Sequence, residues 1–395
     1  MKIAILFSRD TIPNRCFLES ILRGFQELGI EASGWLSHPC GEELLRLCEE
    51  FQPDVLFEMN RSRSEIPELP KQILHICWIV DTDGRKLTRF RDSEILYFFQ
   101  WHWMRDHDGI GSLLCKWLPP GYDPNSYFPR ETTCSYDLSF VGHYSHPWTE
   151  RELNRTIPAT EPGRPPLVFK DVAKRLIESF NGLNHDGWTL DDYITHSLRI
   201  VTELGGDPAK LDLTIQYDLS NRVYVRMERR RYMLDAAVAL TPRRSLRLYG
   251  SSGLGAHQAY APFYRGFLET PSAMAETYRS SRINLHEGVG LHFRGLDAMA
   301  CGRVLFFMYS PYDKGPSGID VIFREGEHFV MFDPTNLEEK VNWLLERPHR
   351  MQEIGQAAAD AVLQEHTWRH RAEQIVADVL QVRELQSRGA GQKLF

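Results

Sequence analysis

Residues Ser281–Gly302 contain the chain's densest grouping of side chains suited to chemistry. They read as a strand with Asn284 and His286 near its end, a loop with Gly288 and Gly290, a helix with Arg294 and Asp297, and a stop at Gly302. Glycines in such a loop let backbone N–H groups approach a ligand closely. The start of the next helix favours an anion through its unpaired N–H groups and its dipole. A diphosphate suits that arrangement. Arg294 and Asp297 are three positions apart and share one helical face, so the cation can meet phosphates while the carboxylate accepts from ribose hydroxyls. The same spacing equally suits an ordinary intrahelical ion pair, and a glycine loop alone is weak evidence.

Three further places merit attention. Asp81-Thr82-Asp83-Gly84 follows the apolar run ending at Val80 and superficially resembles a metal-binding Asp-x-Asp. Asp81 is the better candidate for an acceptor base, against the plain alternative of a turn built by Asp and Gly. Ser8-Arg9-Asp10 follows the first strand in the same way. His102 and Trp103 are candidates for an acceptor groove, although aromatic clusters more often belong to a core. His286 equally reads as a loop histidine bonded to backbone.

These residues need a scaffold, and the N-terminal third has the strand–helix alternation of a parallel sheet. Ile3–Phe7, residues 31–36, Asp54–Phe57, Ile73–Val80 and Ile95–Phe99 read as strands, with helical patterns over Cys16–Leu28 and Glu42–Phe51. Trp117–Pro124 is too rich in proline and glycine for helix or central strand and reads as a connector. A second α/β unit opens at Asp137–Gly142, gives way to helices from about 145 to 240, and resumes at Leu246–Gly250. It continues through Ile283–His286, Val304–Phe307 and Phe329–Phe332, and is helical after Leu337. In doubly wound sheets of this kind ligands collect at the carboxyl ends of the strands.

Bulk properties narrow the function classes. At 395 residues two domains are the natural division. The 42% hydrophobic and 25% charged content is that of a globular protein, and a net charge of −7 gives no pull toward nucleic acid. The basic run Arg226–Arg231 reads as a solvated helix face. Seven cysteines without a CxxC pair read as reduced thiols of a cytoplasmic protein. The first apolar run stops at Ser8, too early for a signal peptide, and no apolar run is long enough to span a bilayer, which leaves peripheral membrane contact open. Ser8-Arg9-Asp10-Thr11 stands where a dehydrogenase would need a glycine-rich turn.

The run Arg294, Asp297, Ala298, Met299, Ala300, Cys301, Gly302, after an asparagine-bearing strand, resembles the C-terminal signature of GT-B glycosyltransferases, in particular the CgeB-like (spore maturation protein) group. Leu248-Tyr249-Gly250, Phe263–Gly266, Tyr278–Ser281 and His366-Thr367-Trp368 with Arg371 resemble its other pieces in order, covering about 117–380 apart from the helical section. The resemblance implies two Rossmann-like domains facing a cleft, at 1–130 and 131–375, with a C-terminal helix and tail at 376–395 crossing back. It implies transfer of a hexose from a UDP- or GDP-sugar to a cell-envelope glycan, surface or protein acceptor, with no metal and no other cofactor. Donor contacts then fall to Arg265, Asn284, His286, Gly288, Gly290, Arg294 and Asp297, and catalytic roles to Arg294 and Asp81. Asp297 stands where glutamate is more usual. Glu287 and Asp297 are two residues farther apart than the paired acids of many retaining enzymes, so no retaining mechanism is carried over. A sugar-nucleotide epimerase, or a degenerate sugar-binding module of the same fold, would share most of these features.

Overall fold

The computed structural model describes residues 1–82, 85–180, 190–219, 222, 230–288, 290–309, 316 and 318–388. Its first sheet has six parallel strands, β1 (Lys2–Leu6), β2 (Glu31–Trp35), β3 (Val55–Met59), β4 (Leu74–Ile79), β5 (Ile95–Phe98) and β6 (Leu114–Trp117), in the order β2-β1-β3-β4-β5-β6. Its inner strands are apolar runs because helices cover both faces, as parallel sheets require. The helix Ile12–Glu27 starts at Thr11, whose side chain accepts from the N–H of Asn14, and stops before Gly29 at φ +69°.

The next strands are β7 (Tyr136–Gly142), the short antiparallel pair β8 (Thr156–Ile157) and β9 (Leu167–Val168), which forms a sheet of its own, then β10 (Leu246–Gly250), β11 (Ser281–His286), β12 (Val304–Met308) and β13 (Val330–Phe332), which with β7 make the second large sheet. Its parallel order is β10-β7-β11-β12-β13. Between β7 and β10 the chain folds the helices Phe169–Phe180 and Leu190–Glu203 around a core of their own, with Ile157, Leu176 and Tyr193 buried. The architecture is thus α/β with two Rossmann-like sheets, as the sequence predicts. β6 falls just before the proline-rich connector and is not separately legible in it.

The two halves are clasped in two places. Helix Trp368–Ser387 returns to lie against helix Ile12–Glu27, and Asp378 accepts from Tyr97 Oη at 2.7 Å and from Lys116 Nζ at 2.5 Å. Arg371 donates to the carbonyls of Pro119 and Pro120 in the connector. Phe293, at the start of the second domain's signature helix, inserts into the first domain's core. Its ring centroid lies 4.1 Å from Phe17, 5.2 Å from Phe99 and 6.1 Å from Trp78. Burying a phenylalanine contributes roughly 1.5–3 kcal/mol, and here it fixes the helix start between the domains.

Candidate active site

Strands β7, β10 and β11 point their carboxyl ends at the first domain. β7 and β10 both end in glycine, for a steric reason. A Cβ on Gly250 would lie 1.8 Å from the carbonyl oxygen of Gly142, and one on Gly142 would lie 2.6 Å from Nη1 of Arg294. The glycine ends therefore leave room for an arginine coming off the helix Phe293–Ala300.

Arg294 turns toward the strand ends and away from its helical neighbour. Its Nη1 donates to the Val141 carbonyl at 2.6 Å and to Glu287 at 3.2 Å, and its Nη2 donates to Glu287 at 2.6 Å. Arg230, opening the helix Arg230–Ala239, meets the same carboxylate from the other side, Nε donating at 2.8 Å. An Arg294–Asp297 ion pair is not among the described contacts, so the intrahelical alternative is not the arrangement formed. Burial alone would raise the Glu287 carboxyl. Arg230 and Arg294 outweigh it and hold the group well below the usual carboxylate range. Among the described residues, two guanidiniums meet this one carboxylate at the cleft.

Asp297 has the opposite environment. Burial, then repulsion from Asp123, pushes its carboxyl well above the ordinary aspartate range, with Arg294 and Tyr127 only partly offsetting this. His292 caps the helix, its Nδ1 accepting from the Arg294 N–H at 3.3 Å. Burial and then the nearby Arg294 and His286 push its imidazole well below the usual histidine range.

These groups line a cavity of about 480 Å³ between the domains. The first domain contributes Ile12, Pro13, Cys16 and Phe17, and the second contributes Arg230, His292, Arg294 and Asp297 together with an apolar wall at Phe267, Leu268 and Met274. A larger depression of about 830 Å³ sits at the opposite end of the signature helix, by Cys301, Gly302 and Pro348. Chemistry, not size, singles out the interdomain cavity.

Not all the residues singled out in the sequence meet there. Asn284 is buried in the sheet, its Oδ1 accepting from Ser139 at 2.7 Å and its Nδ2 donating to the Tyr278 carbonyl. His286 lies stacked on Phe307 at 5.2 Å, with Nδ1 accepting from the Gly288 N–H, which matches the alternative of a backbone-bonded histidine. Arg265 is exposed and donates to the carbonyls of Pro262 and Tyr264. None of the three lines the cavity. Gly288 and Gly290 have φ of +84° and +69°, and a Cβ on Gly290 would lie 3.0 Å from Gln100 Oε1 of the first domain. Asp81 lies just past the carboxyl end of β4, its N–H donating to Asn60 Oδ1 at 3.0 Å, outside the cavity lining. Asp83 and Gly84 lie outside the described residues. Of Ser8-Arg9-Asp10, Asp10 pairs with Arg15 on the surface, while the residues just beyond, Ile12 to Phe17, reach the cavity. Trp103 packs beside Phe98 and Leu96 in the core.

Two further residues have a place that the sequence reading did not give them. Arg230 belongs to a basic run that reads as a solvated face, yet its side chain is only 11% exposed and grips Glu287; most of that run lies outside the described residues. Glu287 is a buried anchor for two arginines. The only sequence signal for the pair was a carboxylate at a strand end just before a glycine loop.

Residues 229–377 match the profile of a family described as Glycosyl transferase-like. Sucrose-phosphate synthase from Thermosynechococcus elongatus superposes with a TM-score of 0.57 at 8% identity, covering 97% of this chain and 99% of that one. Anabaena Alr3699/HepE, in complex with UDP-glucose, gives 0.55 at 11% identity, with coverage of 96% and 100%. An alpha-glucosyltransferase, in complex with UDP and a 13-mer DNA, gives 0.56 at 11% identity and the same coverage. The fold is GT-B. The matched segment runs from Arg230 through the signature helix into helix Trp368–Ser387. No curated protein sequence gives a significant match. Among the described residues no helix is long and apolar enough to cross a membrane.

Proposed function

We propose that the chain is a glycosyltransferase of the CgeB-like group that moves a hexose from a nucleoside diphosphate sugar to a glycan, surface or protein acceptor, in the cytoplasm and without a metal. The observation that carries this is the cluster Arg230–Glu287–Arg294 beside Asp297, at the carboxyl ends of β7, β10 and β11 and opening on the interdomain cavity. Glycosyl transfer leaves a diphosphate whose charge grows in the transition state, and preorganised cations stabilise it most where water is excluded. Arg230 and Arg294, already positioned by Glu287, take that role. Asp297 faces the ribose hydroxyls. Two superposed proteins were solved with UDP or UDP-glucose, which supports a uridine donor over a guanosine one. The CgeB-like assignment is supported by Arg294, Asp297 and the Ala298–Gly302 run. Asp81, just past the carboxyl end of β4 in the first domain, is our candidate acceptor base.

A thermal-shift screen with UDP, GDP and their sugars tests the donor site. We expect one nucleotide to stabilise the wild type and to lose most of that effect in Arg294→Lys and Asp297→Asn. No stabilisation of the wild type, or an undiminished effect in both variants, sinks the assignment. Release of free nucleotide only when an acceptor extract is added separates a transferase from an epimerase.

A further inference from the structure

We infer that His292 is a donor-recognition residue, its neutral imidazole presenting an Nε2–H to a diphosphate oxygen. The inference rests on the donor-site reading above and deepens it.

The argument begins with the ring's two nitrogens. Nδ1 accepts the backbone N–H of Arg294 at 3.3 Å, where a proton on Nδ1 would oppose another donor. The proton of the neutral ring therefore sits on Nε2. The charged and titratable groups around the ring are Arg294 on its own helix, His286 and Glu287 at the end of β11, and Arg230 on its helix. The first domain packs Phe99 edge-on at 5.9 Å, an apolar contact. Three of the four polar neighbours disfavour a positive ring, as does burial, so the ring is a fixed hydrogen-bond donor rather than a proton shuttle.

The second observation is where this donor faces. His292 lines the interdomain cavity with Arg230, Arg294 and Asp297, and it keeps accessible surface there although it lies deep in the molecule. No protein acceptor for Nε2 is among its described hydrogen bonds. Such a donor in a low-dielectric site needs an acceptor, and the arginine cluster beside it selects for an anionic one. Arg294 is two residues away, and its side chain lines the same cavity as the ring.

Asparagine and glutamine separate the ring's two jobs. His292→Asn supplies an Oδ1 that can cap the Arg294 N–H, asparagine being a strong N-cap, but removes the outer donor. His292→Gln places an amide N–H near Nε2 and weakens the cap. Titration calorimetry would compare UDP with uridine, and GDP with guanosine. We expect His292→Asn to melt within a few degrees of wild type, to bind the preferred diphosphate roughly 10- to 100-fold more weakly, and to bind its nucleoside unchanged. His292→Gln should regain most of the diphosphate affinity despite a lower Tm. Undiminished diphosphate affinity in His292→Asn overturns the inference, and so does an equal loss for the nucleoside, which would mark a structural role. A wild type that binds neither diphosphate fails differently, since it overturns the donor-site reading itself.

Discussion

Replacing Glu287 by glutamine tests the electrostatic core of the site directly. The wild-type carboxylate side chain is 4% exposed and receives Arg230 and Arg294, each with a closest N–O approach of 2.6 Å. Glutamine keeps the volume but removes the negative charge and turns one acceptor oxygen into a donor facing guanidiniums. Removing one partner from a buried ion pair costs about 3–5 kcal/mol, because the other partner is left as an uncompensated buried charge. Both arginines open partly on the cavity, so the lower end, about 3 kcal/mol, is the expected loss. For a domain of this size each kcal/mol lowers Tm by about 2–4 °C, which predicts a drop of roughly 6–12 °C. Differential scanning calorimetry at neutral pH and low salt measures it. The same excess positive charge should make diphosphate a stronger stabiliser of Glu287→Gln than of wild type, since ligand binding to the folded state adds RT ln(1 + [L]/Kd). Adding Arg230→Met to Glu287→Gln should restore part of the loss, giving a non-additive cycle. A Tm within about 2 °C of wild type, or strictly additive double-mutant losses, would refute the reasoning that Glu287 holds both arginines.

Other perturbations report on neighbouring parts. Because the folded-state carboxyl of Asp297 is raised, stability falls as pH climbs from the unfolded value near 3.9 toward the folded one. Asp297→Asn should therefore gain in Tm over wild type as the pH of the melt goes from 5 to 8; a gain that stays constant would contradict this. Glu287 has the opposite sign. Its stabilisation is present above the unfolded value of about 4.3 and lost as pH falls through its depressed folded value, so Glu287→Gln should flatten the acid limb of the stability profile. Gly24→Ala puts a Cβ 2.6 Å from the Trp368 carbonyl oxygen, where backbone must shift. A cost of about 1–3 kcal/mol in urea unfolding follows, and a neutral result would show that the C-terminal helix is not tightly seated. Trp368→Ala, by emptying the contact with Trp78 at 6.0 Å, should cost about 3–5 kcal/mol in the same assay.

Local patterns in the chain were enough for most strands and helices, though not for β6, β8 and β9, and for the location of the signature helix. Apolar runs of strand length, helical periodicity and glycine stops act within a few residues, so Ile3–Phe7, Leu246–Gly250 and the His292–Gly302 turn-and-helix are legible without any tertiary knowledge. The placement of Arg294 and Asp297 on one helix was legible for the same reason. Their partners were not. Glu287 and Arg230 are 57 residues apart and meet only because β11 ends beside the start of helix Arg230–Ala239. Asn284 and His286 look polar and available in sequence, but they share one face of β11, where Ser139 of β7 bonds the one and Phe307 of β12 stacks on the other. Whether a polar side chain faces a cleft or a core is settled by which elements pack on its strand, and that is long-range information. Arg294 and Asp297 were marked by their spacing as a cation and an acid on one helix. Only the tertiary structure decided that the cation is anchored elsewhere and that the acid stands in a cavity walled by both domains.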